Sequence, residues 1–171
     1  MYLRSLLNNN AMKNMSQKLW VFLCLLICSC NYNADLPDNI NTRASFPDSA
    51  KFRPAGLKVI TSFINRKAGT MSTLYGNQPA LQKAIGFNKE FVPGELFTLV
   101  TWKQQADKHW FGANIPGDLQ SVEVLKTHSN GARVVLDYQR YEGRTLVQHA
   151  DTLKNSERIR FMLNQRPSVM P

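Results

Sequence analysis

Beyond residue 30 the chain contains no cysteine. All three, Cys24, Cys28 and Cys30, lie in or at the end of one apolar run, which excludes disulfides, thiolate metal centres, a cysteine nucleophile and thioether-bound haem from the remainder. Acidic residues are few, 12 against 21 Lys and Arg in 171 residues. The basic ones are nevertheless scattered: no five like charges stand together and there is no arginine-rich arm, so no nucleic-acid partner is expected. The sequence also lacks a Gly-rich phosphate loop, a paired-His zinc motif, a nucleophile elbow and an internal repeat. No apolar run approaches the roughly 20 residues that span a bilayer as a helix.

What is present near the N-terminus has the pattern of an export signal. Leu19 to Ile27 is an uninterrupted run of nine apolar residues preceded by Lys13 and Lys18, the pattern of a positive n-region and a short h-region. Ile27-Cys-Ser-Cys30 follows and resembles the bacterial lipobox, in which an aliphatic residue, a tolerant position and a small residue precede the cysteine that is acylated and becomes residue one. Residues 1–29 are therefore expected to be a lipoprotein signal peptide, with Met12 or Met15 as alternative starts, and Cys30 the lipidation site; the alternatives are an ordinary secretory signal and an uncleaved anchor. Their removal takes Arg4, Lys13 and Lys18 and no acid, so the net charge falls from +9 to +6. An exported protein, lipid-anchored in the cell envelope and facing the periplasm or the outer membrane, follows from this pattern. Residues 30–51 are poor in aliphatic side chains and rich in Asn, Asp, Ser and Pro, a composition unable to offset the entropy of ordering, and they read as a flexible tether.

Residues 52–171 are long enough for one domain with its own core. Leu57 to Asn65 and Thr70 to Tyr75 carry strand patterning. Asn77 to Gly86 has a capping Asn, Pro79 in its first turn, Leu81 and Ile85 four apart and a terminal Gly, hence a short helix. Pro93-Gly94 turns the chain into Glu95 to Lys103, apolar on both faces and so a central strand. Ser121 to Thr127 and Arg133 to Tyr141 flank Asn130-Gly131, a hairpin signal. Asp151 to Gln165 spaces Leu153, Ile159, Phe161 and Leu163 among charges and reads as a second helix. The expected fold class is α+β, mainly antiparallel β-sheet with one or two short flanking helices.

The residues with most chemical potential lie between Trp102 and Pro116. Two Trp, one Phe and one His within ten positions are costly to expose together. His109, Trp110 and Phe111 are candidates for lining a flat ligand or a cofactor, with Asp107 orienting the imidazole; the alternative is that they close one end of the sheet. Glu123 interrupts an apolar strand and points to the face opposite Val122 and Val124, either toward solvent or as a pocket acid whose pKa burial raises. His128 sits beside the hairpin turn and reads as solvated, and Tyr138 and Tyr141 as core or rim.

Ser72-Thr-Leu-Tyr-Gly-Asn77 before a short helix, Thr98-Leu-Val-Thr-Trp102 after Pro93-Gly94, Trp110-Phe-Gly112, and Tyr138-Gln-Arg-Tyr141 together resemble the cytochrome P-460 family over about residues 52–141. The resemblance implies a largely β fold that pairs as a homodimer, and in haem-bearing members a c-type haem on Cys-x-x-Cys-His near the C-terminus, with a lysine cross-link accompanying hydroxylamine oxidation. This chain has no Cys-x-x-Cys-His, so no covalent haem is expected. At the corresponding place stands Thr145-Leu-Val-Gln-His149, which makes His149 the candidate iron ligand for a non-covalent haem. Lys103, Lys108 and Lys126 match no cross-linking motif. Three functions follow: a small-ligand or partner-binding lipoprotein, docking a separate cytochrome or a second copy; a haem-dependent oxidoreductase, nitric oxide binder or electron carrier using His149, His109, Trp110 and Phe111; or a structural envelope protein without a small ligand.

Overall fold

The computed structural model describes residues 41–47, 50, 54–86, 90–149 and 154–168. The lipobox, Cys30 and residues 31–40 of the expected tether lie outside these residues, whereas Asn41 to Pro171 forms a single unit. Within it run β1 (Lys58–Asn65), β2 (Thr70–Gly76), α1 (Gln78–Ala84), β3 (Leu96–Ala106), β4 (Asn114–Asn130), β5 (Arg133–Glu142), β6 (Val147–Gln148) and α2 (Asn155–Leu163). The strands form one antiparallel meander in the order β1-β2-β3-β4-β5-β6. The α+β expectation of a mainly antiparallel sheet with two short helices is thus the observed architecture.

β3 occupies an interior position because its side chains are apolar on both faces. Phe97 and Leu99 are buried with Ile60, Leu74, Leu125, Ala80, Ala84 and Met162 under the two helices, and Val100 and Trp102 are buried with Leu119, Val122 and Val124 on the opposite face. The helices meet the sheet at close range. A Cβ on Gly76 would stand 2.7 Å from Ile60 Cδ1 and 3.0 Å from Ala80 Cβ, so the approach of α1 depends on a residue without a side chain. Asn77 caps α1 by accepting from the Ala80 N–H at 3.1 Å, accepts also from the Leu96 N–H, and donates through Nδ2 to the Gly94 carbonyl at 2.7 Å, tying the helix start to the entry of β3. On α2, Met162 is buried and Phe161 packs edge-on to Phe63 with ring centroids 5.4 Å apart.

The second face is covered differently. Residues 41–47, assigned by composition to the tether, form a strap across it, with Ala44 and Phe46 packed against the Val100–Trp102 core. Trp102 donates its indole N–H to the Ala44 carbonyl at 2.9 Å, Arg43 forks onto Asp118, and Asn41 Nδ2 donates to the Pro116 carbonyl. The domain therefore begins earlier than the expected residue 52, because a few apolar and polar anchors suffice to hold a segment of otherwise polar composition.

β4 starts at Asn114, seven residues before the expected Ser121. Pro116 and Gly117 read as strand breakers, but the register shifts between Thr101 and Gln104 form a bulged stretch that accepts them. At Gly117 a Cβ would lie 2.9 Å from the Lys103 carbonyl oxygen, so glycine is what allows the two backbones to approach. Beyond this point β3 and β4 outrun their neighbours. β2 ends its pairing with β3 at Thr70–Lys103, and β5 ends its pairing with β4 at Glu142–Ser121. Gln105-Ala106 and Asn114-Ile115 thus pair only with each other, a ribbon that projects past the end of the sheet.

Candidate functional site

The projecting ribbon carries the aromatic cluster. Its turn is held internally: Asp107 Oδ1 accepts the backbone N–H groups of His109 at 2.7 Å and Trp110 at 3.3 Å, the Asp107 N–H donates to the Ala113 carbonyl, and the Ala113 N–H donates to the Trp110 carbonyl. Gly112, at φ +79°, supplies the left-handed residue that closes it. Asp107 thus orients the backbone of the turn rather than an imidazole. Trp110 is 73 % exposed, Phe111 is fully exposed and His109 is exposed. The expectation that these residues are not exposed together is corrected: Trp102 is core, whereas the other rings stand exposed on the overhanging hairpin.

Glu123 is not on a wet face. The strand alternation that sends Val122 and Val124 to the strap face sends Glu123 with Leu125 to the helix face. There it is 1 % exposed, and Arg158 of α2 grips it with both limbs, Nε to Oε2 at 2.9 Å and Nη2 to Oε1 at 2.6 Å. Tyr138, diagonally across on β5, donates its hydroxyl to Oε2 at 2.6 Å. The carboxylate and burial together push the Tyr138 phenol far above its usual pKa, burial being the larger cause. The Arg158 guanidinium in turn lies 4.9 Å over the Phe161 ring, and its pKa is raised chiefly by its hydrogen bond to Glu123. A carboxylate with both oxygens engaged in this way joins α2 to the sheet.

A second buried carboxylate, Glu95, was not singled out by the sequence. It begins the entry to β3, where Thr127 receives its backbone N–H on Oγ1 at 2.8 Å and donates to the Val92 carbonyl at 2.6 Å. Its side chain is 1 % exposed; Oε1 accepts weakly from the Val92 N–H at 3.4 Å, and Oε2 has no hydrogen-bond partner among the described residues. Burial raises its pKa, opposed by the Val92 N–H and the charge of Lys83.

His149 lies just past β6, its backbone N–H on the Arg140 carbonyl at 2.8 Å. Its Nδ1 is 3.4 Å from Glu142 Oε2, and Glu142 Oε1 takes the Arg140 guanidinium at 2.7 Å, so the imidazole belongs to a half-exposed rim network on the edge of the sheet. Arg140 is opposite Glu123, whereas the turn bearing His109 begins beyond Asn114, nine residues further along β4 or roughly 30 Å. The structure therefore does not bring His149 together with His109, Trp110 and Phe111. Among the described residues no group of three or more His, Cys, Asp and Glu gathers to hold a metal ion.

No known family model and no curated protein matches the chain. Arg158 and Tyr138 were missed by sequence reasoning as partners of Glu123 because they stand 35 and 15 residues away; the available signal was the one carboxylate in an otherwise apolar stretch of β4, which requires a cation on the covering element if it is buried.

Proposed function

We propose that the chain is an exported, lipid-anchored binding module of the cell envelope, built on a cytochrome P-460-like sheet without covalent haem, that engages a ligand or partner rather than turning over a substrate. The observation that carries this reading is the Trp110-Phe111 turn. Each ring forgoes roughly 1.5–3 kcal/mol of burial by standing in water, and the turn holding them is fixed by Asp107 instead of being free to fold them away. Large aromatics held in the open are the usual anchors of recognition surfaces. Glu123 supports the same reading, since its oxygens are committed to Arg158 and Tyr138.

The anchoring is tested by feeding radiolabelled palmitate to bacteria making the full chain or its Cys30→Ala variant. Label and membrane association are expected for the first and not the second, and label in the variant removes the lipobox reading. The cofactor question is tested by adding haem to the full chain in detergent. A stoichiometric Soret band lost in His149→Ala would replace the binding module by a haem protein; spectra identical for the two chains are the expected result.

A further inference from the structure

The end of the sheet that bears the exposed rings is also its basic end. The β1–β2 turn places Arg66 and Lys67 there, beside the start of β2; Lys103 pairs with Thr70 at the same level; Lys108 lies in the aromatic turn; and Arg144 follows Gly143, whose N–H bonds the Gln120 carbonyl near the base of the ribbon. All five are exposed. The acids at this end are occupied: Asp107 receives the N–H groups of the turn, Asp118 is held by the Arg43 fork, and Glu142 takes Arg140. The rings thus project from the end of the sheet that carries these five exposed cations, while Asp118 and Glu142 are each paired with an arginine.

The route of the chain points the same way. Asn41 is bonded to Pro116, which pairs with Gln104 at the base of the projecting ribbon, so the polypeptide enters the domain at this end. The stretch between Cys30 and Asn41 spans at most about 40 Å when fully extended. An acyl chain on Cys30 would keep this end of the domain within reach of the bilayer.

We infer that the hairpin end of the sheet seats on an anionic bilayer, with Trp110 and Phe111 at headgroup depth and the surrounding cations against lipid phosphates. The inference rests on the proposed envelope attachment for its orientation. Its chemistry rests on the end itself: amphipathic Trp and apolar Phe favour the interfacial zone, and Lys and Arg within a Debye length of a negative leaflet are drawn to it.

The test uses the full chain purified from bacterial membranes in detergent and reconstituted into vesicles of phosphatidylcholine alone or with phosphatidylglycerol. Flotation reports attachment, and hydroxyl-radical footprinting read by mass spectrometry reports access to the peptide holding Trp110 and Phe111. Labelling of that peptide is expected to fall about five-fold more in the anionic vesicles, the effect of one basic side chain near a charged leaflet, and the difference is expected to vanish in Lys67→Glu/Lys108→Glu. Both substitutions lie in exposed turns, and unchanged cooperative unfolding verifies the fold. Chains that float while the peptide labels equally in both vesicles and in micelles overturn the inference and leave attachment standing. Protection that grows with protein density regardless of lipid charge overturns it in favour of contact between copies. Absence of flotation removes the attachment reading, and the inference with it.

Discussion

At the scale of single residues the two buried glutamates behave as opposites. Glu123 is paired at both oxygens, so its value depends on both partners. Arg158→Ala leaves a buried carboxylate with only the Tyr138 hydroxyl and is expected to cost about 3 kcal/mol in urea unfolding, while replacing the pair together, Glu123→Leu with Arg158→Leu, costs less than that single change; a double variant as unstable as the sum of the two singles would show that the ion pair does not couple α2 to the sheet. Glu95 is buried with Oε2 unbonded among the described residues, and burial raises its pKa from the ordinary 4.5, opposed by the Val92 N–H and the charge of Lys83. A folded-state pKa above the unfolded one means that its protonation favours the fold: this contribution is complete below the ordinary value and is lost as pH rises through the folded value. Glu95→Gln removes the dependence, so the stability difference between variant and natural chain is expected to move in the variant's favour as pH rises from 4.5 toward neutrality. A difference that stays flat across that range would mean the Glu95 carboxyl is not desolvated.

At the scale of elements, the parts legible in the sequence are those whose determinants are local. The Asn77 cap, the Pro93-Gly94 turn and Asn130-Gly131 each act over a few residues, and the structure has α1, the start of β3 and the β4–β5 hairpin where they predict. Illegible parts depend on partners far along the chain. The strap is held to Asp118 and Pro116 across 75 residues, and a composition rich in Asn and Asp gives no sign of it. The first half of β4 is hidden by Pro116 and Gly117, because whether they break a strand depends on the bulges by which β4 shifts its register against β3. α2 is described over Asn155–Leu163, within the predicted Asp151–Gln165, of which residues 151–153 lie outside the described residues. A prediction belongs to this scale: Gly117→Ala drives a methyl against the Lys103 carbonyl 2.9 Å away and is expected to cost about 1–3 kcal/mol, whereas Gly131→Ala, with nothing within 4 Å of the added carbon, carries only the strain of its positive φ. Thermal melts of the two variants check this; equal losses would show that the β3–β4 ladder yields at its register shifts.

For the whole molecule, one sheet with two apolar faces must be covered twice, and here α1 with the C-terminal helix does one and the N-terminal strap the other. A chain ending before Asn155 loses Met162, Ile159 and Phe161 from the first face and leaves Glu123 without its cation. It is expected to bind a fluorescent apolar dye and to lose its cooperative thermal transition, and a sharp transition without dye binding would show that the sheet is complete without α2. The strap has a different consequence, a mechanical one. Any tension applied to the chain upstream of Asn41 would load Asn41, the Arg43 fork and the Trp102–Ala44 bond before it reached the ladder of the meander.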